Sequence, residues 1–502
     1  MRIAIIGGGI AGLAAAYELE LAREAGQPIE YALFEAGPRL GGVIASSMVE
    51  GTVIERGPDS FLTEKPAAAA LCRELGLADQ LMTSNDAERK TYILVRNRLV
   101  PLPDGLMFLI PTKIVPTLFT GLFSLFTKLR MGLELLQKPR PAGSSEMDES
   151  VASLVRRHYG QQTVDRLADP LLSGIYGGDA EELSAQSVLP RLVEMEAKHG
   201  SLTRGMLAGI RARRAAAEGN PRPAQPIFTT LRGGLQTMID ALTARLDSDA
   251  LHLDSPIESI QPLGNGQGWQ VVRQTVVRQN LDGGERRSTE IFDAVIVATP
   301  AWAASEMLRS ADTALSTELA AIPYSSSVTV NLVYSGSDLD PLPPGFGFLV
   351  PAIERRAILA CTFIHRKFPG RTAPGKTVLR AFLGGAHNAH LLDRTDEEIE
   401  VIVRRELFQI LHISADPELV GVQRWPRAMA QYAVGHRARM ERIQARLAGQ
   451  SHLAGLRLAG NAYDGIGISD CIRLGRKAAT ELLEKSAVNV PLSHSAIASL
   501  HR

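Results

Sequence analysis

Three glycines and one carboxylate carry the first chemistry legible in this 502-residue chain. Gly7, Gly9 and Gly12 form a Gly-x-Gly-x-x-Gly pattern, and Glu35 follows Gly12 by 23 residues. In such a pattern the first glycine permits a tight turn. The second leaves no side chain between the backbone and a pyrophosphate, and the third lets a helix pack closely on a strand. The phosphates then meet the positive end of that helix, and an acid about 20 residues on binds a ribose hydroxyl.

These residues need a strand, a turn and a second strand to position them. Residues 3–6 are an apolar run that reads as a buried strand, and an Ala/Leu-rich helical stretch runs on to residue 19. Ala16 is small and shares a helix face with Gly12, which suits close packing. Residues 31–34 read as the second strand and end at Glu35. Strand, turn, helix and spaced acid together favour a dinucleotide site at Gly7, Gly8, Gly9, Ile10, Ala11 and Gly12 over an ordinary βαβ unit. Past the acid, Glu35-Ala36-Gly37-Pro38-Arg39-Leu40-Gly41-Gly42 adds an arginine and two glycines. A second glycine turn suits FAD, whose length brings the backbone close to the cofactor again.

Composition narrows the field. Lys plus Arg and Asp plus Glu both number 54, so there is no electrostatic case for nucleic acid. With 45% apolar residues the chain can bury large cores, and its length predicts two or three domains. Cys72, Cys361 and Cys471 are scattered without metal-ligand spacing, which predicts reduced core residues, no metal site and a cytoplasmic protein. The N-terminus reads as strand, not signal peptide. Residues 106–126 are almost uncharged, but Pro111 and Pro116 break any spanning helix. Two short helices are expected there, either as a buried hairpin or as a peripheral membrane contact.

Further along, residues 57–80 hold a Gly-Pro-Asp turn and a helix closed near Gly76, and residues 146–199 read as largely helical. A basic, proline-bearing run at 211–226 reads as a surface loop. Residues 292–299 read as a buried parallel strand, and the end of the chain as strand, glycine turn and helix. The fold class is therefore α/β: a discontinuous Rossmann-like FAD-binding domain, a mixed-sheet substrate domain and an inserted helical domain. The FAD-binding parts are expected at 1–80, 227–300 and 451–485, with substrate-domain strands at 81–99 and the main substrate domain at 301–450. A helical domain is expected at 100–205, a mobile loop at 206–226 and a C-terminal tail at 486–502.

Three longer segments carry a resemblance. They are Gly57-Pro58-Asp59-Ser60-Phe61, the run Pro170-Leu171-Leu172-Ser173-Gly174-Ile175-Tyr176-Gly177-Gly178-Asp179, and Gly460-Asn461-Ala462-Tyr463-Asp464-Gly465-Ile466-Gly467-Ile468-Ser469-Asp470-Cys471. With them the chain resembles the FAD-dependent protoporphyrinogen/coproporphyrinogen oxidases of haem biosynthesis, within the wider amine-oxidase-like flavoproteins. The resemblance implies an FAD site: Gly7 to Gly12 on the pyrophosphate, Glu35 and Ala36 at the adenosine ribose, Arg39 on the adenine side. Gly42, Val43, Gly57, Pro58, Asp59 and Ser60 would line the ribityl and flavin region, Ile257 would meet adenine and Trp425 would lie near the cofactor. Gly460, Ile466, Gly467 and Ile468 would serve the last turn, with backbone amides at the flavin pyrimidine edge. Many FAD folds close that turn with Gly-Asp; Asn461 donates but does not accept as a carboxylate does.

The implied reaction removes six electrons from a porphyrinogen in three two-electron steps. Hydride goes to flavin N5, and dioxygen takes the electrons as hydrogen peroxide. Pyrrole protons can leave to water or a backbone carbonyl, so no catalytic acid or base is assigned. Gly174 resembles a family glycine beside the macrocycle. Arg89, Lys90, Arg96 and Arg98 could reach propionates or simply solvate a surface hairpin. Thr91 stands where protoporphyrinogen-type relatives often carry an arginine, which leans the reading toward coproporphyrinogen III. Other haem-pathway enzymes are implied as partners. Protoporphyrinogen IX oxidase, another amine-oxidase-class flavin oxidase and a non-catalytic dissociation-inhibitor-like binding protein stay open.

Overall fold

The computed structural model describes residues 1–107, 109–139, 148–217, 225–264, 268–276, 285–336, 339 and 342–488. Two compact units emerge, and both are assembled from separated stretches of chain. The first comprises Met1–Gly42, Met238–Ala320 and Ile443–Arg502; the second comprises Val43–Thr237 and Ala321–Arg442.

The first unit is built on a five-stranded parallel sheet in the order Leu251–His252, Glu30–Phe34, Arg2–Ile6, Ala294–Val297, Leu456–Leu458. Its inner strands read as apolar runs because both faces are covered: Ala294–Val297 is buried throughout, as are Ile3, Ala4, Ile5 and Ile6. Helix Ile10–Glu24 follows the first strand, and helix Ile468–Val488 lies against it. Their approach is close because Gly475 has no Cβ; one added there would overlap the Ala11 carbonyl. An antiparallel three-stranded sheet, Ile257–Pro262, Trp269–Val276 and Glu285–Phe292, completes the unit with helices Ala301–Leu308 and Thr313–Ala320.

The second unit holds a seven-stranded mixed sheet. Its order is Leu419–Ala430, Tyr324–Ser335, Lys376–Gly384, Ile358–Phe363, Gly347–Leu349, Thr91–Val95, Arg98–Pro101. Helix Asp396–Leu411 packs its apolar stripe (Ile399, Val403, Leu407, Ile410) into the same core as Val328, Val330 and Leu332 of the sheet. Helices between Ile114 and Ala217 form a further core around Leu154, Val155, Tyr159 and Leu167. One polar cluster ties that layer together. His158 and Glu134 are fully buried and 3.0 Å apart, and Glu196 approaches the other ring nitrogen at 3.4 Å. The Glu134 carboxylate also accepts from Ser201 Oγ and from the Leu202 and Thr203 amides, closing the N-terminus of helix Leu202–Ala217. Burial opposes charging in both acids. Hydrogen bonds from His158 nevertheless hold Glu134 and Glu196 below the usual carboxylate range, Glu196 at about 2. The same bonds raise His158 against its own burial.

Several expected boundaries move. Residues 43–80 fall in the second unit, where Arg371 donates to Glu55 at the end of strand Thr52–Glu55. Residues 301–320 and 443–450 join the first unit, where Asp312 binds Arg446 and His452. The 100–205 helices belong to the same unit as the mixed sheet. The loop expected from 206 is helix through Ala217, since Ala and Arg favour helix and Glu134 caps its start. Residues 218–224 of that loop and 489–502 of the expected tail lie outside the described residues.

Candidate active site

In the first unit, Gly7 takes a positive φ of 107° and its amide donates to the Phe34 carbonyl at 2.8 Å. The turn carries the chain into helix Ile10–Glu24, whose N-terminus has neither a side-chain cap nor an acidic residue in its first turn. A 15-residue helix left this way presents amide donors and a positive dipole end to an anion. Among the described residues a Cβ added at Gly9 would meet nothing within 4 Å, so open space lies above the turn. At Gly12 one would overlap the Gly7 carbonyl oxygen and come within 3.1 Å of its carbon. Close by, Thr299 Oγ1 is buried and finds no hydrogen-bond partner among the described residues, while its methyl sits 3.0 Å from where a Gly7 Cβ would lie. Open cradle, uncapped helix and orphaned hydroxyl together fit a pyrophosphate.

Glu35 stands between the two glycine turns. Its Oε2 accepts from the Gly8 amide at 2.7 Å and its Oε1 from the Gly37 amide at 2.8 Å. The second turn lies on the first: the Gly41 amide donates to the Gly8 carbonyl at 2.8 Å, and a Gly42 Cβ would be 3.2 Å from Gly9 Cα. Close backbone packing therefore accounts for the second glycine pair. Arg39 folds onto its own loop, donating to the carbonyls of Leu40 and Gly42. Ala36 follows Glu35 in this loop, and Ile257 opens the antiparallel sheet opposite Arg273. Gly460 has φ 132° and precedes the turn through Ile466 and Gly467 to helix Ile468–Val488, where the Gly467 amide donates to Asp470.

In the second unit, Val43 and Gly57 meet so tightly that a Gly57 Cβ would overlap the Val43 carbonyl; Trp425 lies 3.6 Å from that position. Trp425 Nε1 donates to the Arg56 carbonyl at 2.9 Å. Asp59 and Ser60, after Pro58, are held by Lys367, whose Nζ is 3.1 Å from both Asp59 oxygens and 3.3 Å from Ser60 Oγ. Arg380 donates to the Gly57 carbonyl, and Arg371 to Glu55 and Thr230. Burial would push Asp59 up, but the Lys367 and Arg380 charges hold it well below the usual range. These three buried cations were not legible in the sequence; Lys367 lies 308 residues from Asp59, and nothing local marks it.

Gly174 is exposed on helix Asp169–Tyr176, which continues from a π-helical stretch at Val164–Ala168. Such turns concentrate at functional sites. The nearest atom to a Gly174 Cβ would be Leu349 Cδ2 at 3.0 Å, and Ile175 beside it is exposed. The four expected cations do not converge. Arg96 is the first residue of a two-residue hairpin turn (φ 49° and, at Asn97, 62°), and Arg98 opens the edge strand. Arg89 pairs with Asp86 at 3.6 Å and Lys90 is exposed, both before strand Thr91–Val95. The two pairs thus sit at opposite ends of a strand roughly 16 Å long, too far apart for one carboxylate.

The parallel sheet and its phosphate-fitting turn define a dinucleotide-binding flavoprotein fold, and the comparisons agree. The model of the flavin containing amine oxidoreductase family matches residues 10–483, and the chain belongs to that family. It is 36% identical to the coproporphyrinogen III oxidase of Bacillus subtilis (strain 168), over 96% of this chain and 98% of that one. Against the coproporphyrinogen III oxidase of Staphylococcus aureus (strain NCTC 8325 / PS 47) the identity is 32%, over 96% and 98%. A crystal structure of a protein from Exiguobacterium sp. 255-15 superposes with a TM-score of 0.80 at 31% identity, covering 96% of this chain and 99% of that one. The cofactor is FAD.

Proposed function

We propose that this protein oxidises coproporphyrinogen III to coproporphyrin III in haem biosynthesis, with dioxygen as acceptor. The observation that carries the reading is full-length similarity to relatives bearing that substrate's name. Protoporphyrinogen IX is the alternative substrate. FAD supplies the two-electron oxidation, needed three times per macrocycle. The chain's own contribution is placement. Gly9 leaves room for the pyrophosphate, Gly7 and Gly12 let the turn close on its own backbone, and Glu35 orders both glycine turns. Lys367 and Arg380 fix the Gly57–Ser60 loop, and Gly174 offers an edge of helix without a side chain. Positioning a meso C–H at reaction distance converts a collision into an oriented transfer. Aerobic and anaerobic assays with both porphyrinogens, reading porphyrin fluorescence and peroxide, test the proposal. Absence of porphyrin above the autoxidation blank with either substrate overturns it.

Among the described residues no helix is long and apolar enough to cross a membrane. Helices Ile114–Phe119 and Leu125–Leu133 nevertheless turn Phe119 (85% exposed), Leu125 (82%) and Phe126 (75%) outward, so the segment is not a buried hairpin. Lys128 Nζ donates to the Leu118 and Thr120 carbonyls and locks the pair, while Leu122, Phe123 and Met131 anchor it inside. We infer a peripheral contact with a lipid surface at this face. Co-sedimentation with phosphatidylglycerol-containing vesicles should drop in a Phe119→Asp, Phe126→Asp variant of unchanged activity. Equal binding by both proteins rejects the contact.

A further inference from the structure

Charged side chains buried under the Gly57–Ser60 loop do not balance. Lys367, Arg371 and Arg380 are all buried, the two arginines to 1% and 2% exposure. Among the described residues two carboxylates answer them: Glu55 takes Arg371, and Asp59 takes Lys367 at 3.1 Å and Arg380 at 3.8 Å. Three cations against two anions leave one positive charge in excess. The Phe228 ring, its centroid 4.3 Å from Lys367 Nζ, and the Phe382 ring, 5.0 Å from Arg380 Cζ, offset part of it without carrying charge. Arg371 Nε and Arg380 Nε are buried and find no hydrogen-bond partner among the described residues. Burial lowers both Lys367 and Arg380 from their usual values although Asp59 opposes it, the direction expected where counter-charge is short.

An uncompensated buried charge is strongly destabilising, and natural folds keep such violations at functional sites. All three cations reach the loop itself. Lys367 Nζ meets Ser60 Oγ at 3.3 Å, Arg371 donates to the Asp59 carbonyl at 3.3 Å, and Arg380 donates to the Gly57 carbonyl. The excess charge therefore lies directly behind the segment that the resemblance sets against the flavin. Negative charge arrives there once per oxidation. A meso C–H gives the flavin two electrons and one proton as hydride, while the pyrrole proton leaves to solvent, so the cofactor gains one negative charge. Dioxygen then takes the two electrons with the flavin proton and one from solvent, leaves as hydrogen peroxide and clears that charge.

Resting on that placement of the loop, which belongs to the porphyrinogen reading above, we propose that Lys367, Arg371 and Arg380 form a buried countercharge that favours the reduced, anionic flavin and raises its reduction potential. Charge fixed near the flavin ring is one of the few levers a protein has on the electronics of this cofactor. The three act through the loop, so they are positioning residues, and their effect falls on the electron equilibrium of the cofactor.

The test is the flavin midpoint potential of the FAD-loaded protein, titrated anaerobically against redox dyes with no porphyrinogen present. Lys367→Gln keeps a hydrogen-bond donor and removes the excess charge. At a fixed potential its ratio of reduced to oxidised flavin should fall ~10-fold, a shift of about −30 mV for two electrons. Arg380→Gln should move the ratio the same way, and Lys367→Arg, which keeps the charge, should stay within ~2-fold of wild type. The double variant Asp59→Asn, Lys367→Gln loses both partners of the bond yet restores one cation in excess, so its ratio should return to within ~2-fold of wild type. Flavin content should stay stoichiometric throughout. A ratio unchanged in either Lys367→Gln or Arg380→Gln overturns the proposal. So does a double variant displaced as far as Lys367→Gln, or loss of flavin from the single variants, because either makes the charges structural. A wild type that oxidises no porphyrinogen refutes the underlying reading instead, in an assay that shares no measurement with these potentials.

Discussion

Gly9 and Gly12 belong to one motif, yet the structure assigns them different tasks that mutation should separate. At Gly9 the backbone has φ −70° and ψ 176°, a conformation alanine or valine adopts freely, and an added Cβ meets nothing within 4 Å. Replacing a glycine at such a position stabilises the fold by about 0.4–1 kcal/mol through the unfolded chain. At Gly12 a Cβ overlaps the Gly7 carbonyl and approaches Ala298 Cβ to 3.4 Å, so the turn itself must move. That overpacking costs about 3 kcal/mol. Gly9→Val should therefore yield an apoprotein at least as heat-stable as the wild-type apoprotein, yet with FAD affinity reduced ~100-fold or more, about 2.7 kcal/mol. Gly12→Ala should lose stability with or without FAD. The assay pairs flavin absorbance of the purified proteins with melting curves of the apo forms titrated with FAD. Saturating FAD should raise the wild-type midpoint by about 5–10 °C and leave Gly9→Val unmoved. Stoichiometric flavin in Gly9→Val, or an apo Gly9→Val as unstable as Gly12→Ala, would refute the assignment of the open cradle to the pyrophosphate.

Gly174→Leu should leave flavin content and spectrum normal, because what a Cβ would crowd among the described residues is a flexible side-chain end, Leu349 Cδ2, while porphyrinogen turnover falls at least ~100-fold, about 2.7 kcal/mol; near-normal turnover places the ring elsewhere. Glu35→Gln keeps one acceptor for the Gly8 and Gly37 amides but loses the charge, so the FAD dissociation constant should rise ~10-fold, and an unchanged value rejects a ribose role. The Glu134–His158–Glu196 cluster sets a pH window for the helical layer. His158 is raised, so its contribution is complete below about 6.5 and is lost as pH climbs through its folded value; Glu134 and Glu196 are lowered, so theirs is complete above about 4.5 and is lost on further acidification, for Glu196 toward about 2. Hydrogen-exchange protection of residues 151–159 and 202–212, corrected for intrinsic rate, should peak between those values, and a flat profile from pH 4 to 8 would reject the cluster as an anchor.

Legibility tracked the range of the interactions involved. The strand Arg2–Ile6, the glycine turn and the helix Ile10–Glu24 were readable because apolar run, glycine spacing and helical stretch agree within a short stretch of chain. The strand Ala294–Val297 was readable for the same reason. Helix Leu202–Ala217 was missed because the prolines at 221, 223 and 226 drew the loop boundary too early, and the cap that starts it comes from Glu134, far back in the chain. The grouping of residues 43–80 with the second unit was not legible, since the Arg371–Glu55 bond that helps tie them there spans 316 residues. The bulge in strand Leu419–Ala430, where Arg427 turns to φ 44°, gave no signal at all. A bulge arises from a register mismatch between two strands, and one strand read alone does not show it.

The charges around the family segments bear on how the reaction is run. Asp59 stands in the loop that the resemblance sets against the flavin, but a carboxylate pinned by Lys367 and Arg380 and held well below its usual range is a poor base. Asp169, on the helix that carries Gly174, is raised by burial, yet its Oδ2 is taken up by the Ala352 amide at 2.8 Å. Both acids are already engaged, Asp59 by Lys367 and Ser60 and Asp169 by the Ala352 amide. That allocation suits a reaction whose protons sit on pyrrole nitrogens made acidic by the oxidation itself, so that water or a carbonyl suffices to receive them. What such a reaction demands is that a large, flexible macrocycle be held at one angle through three successive oxidations. Buried ion pairs under the Gly57–Ser60 loop and two donors on the Tyr176 carbonyl hold rigid the segments that the resemblance sets against the flavin and the macrocycle.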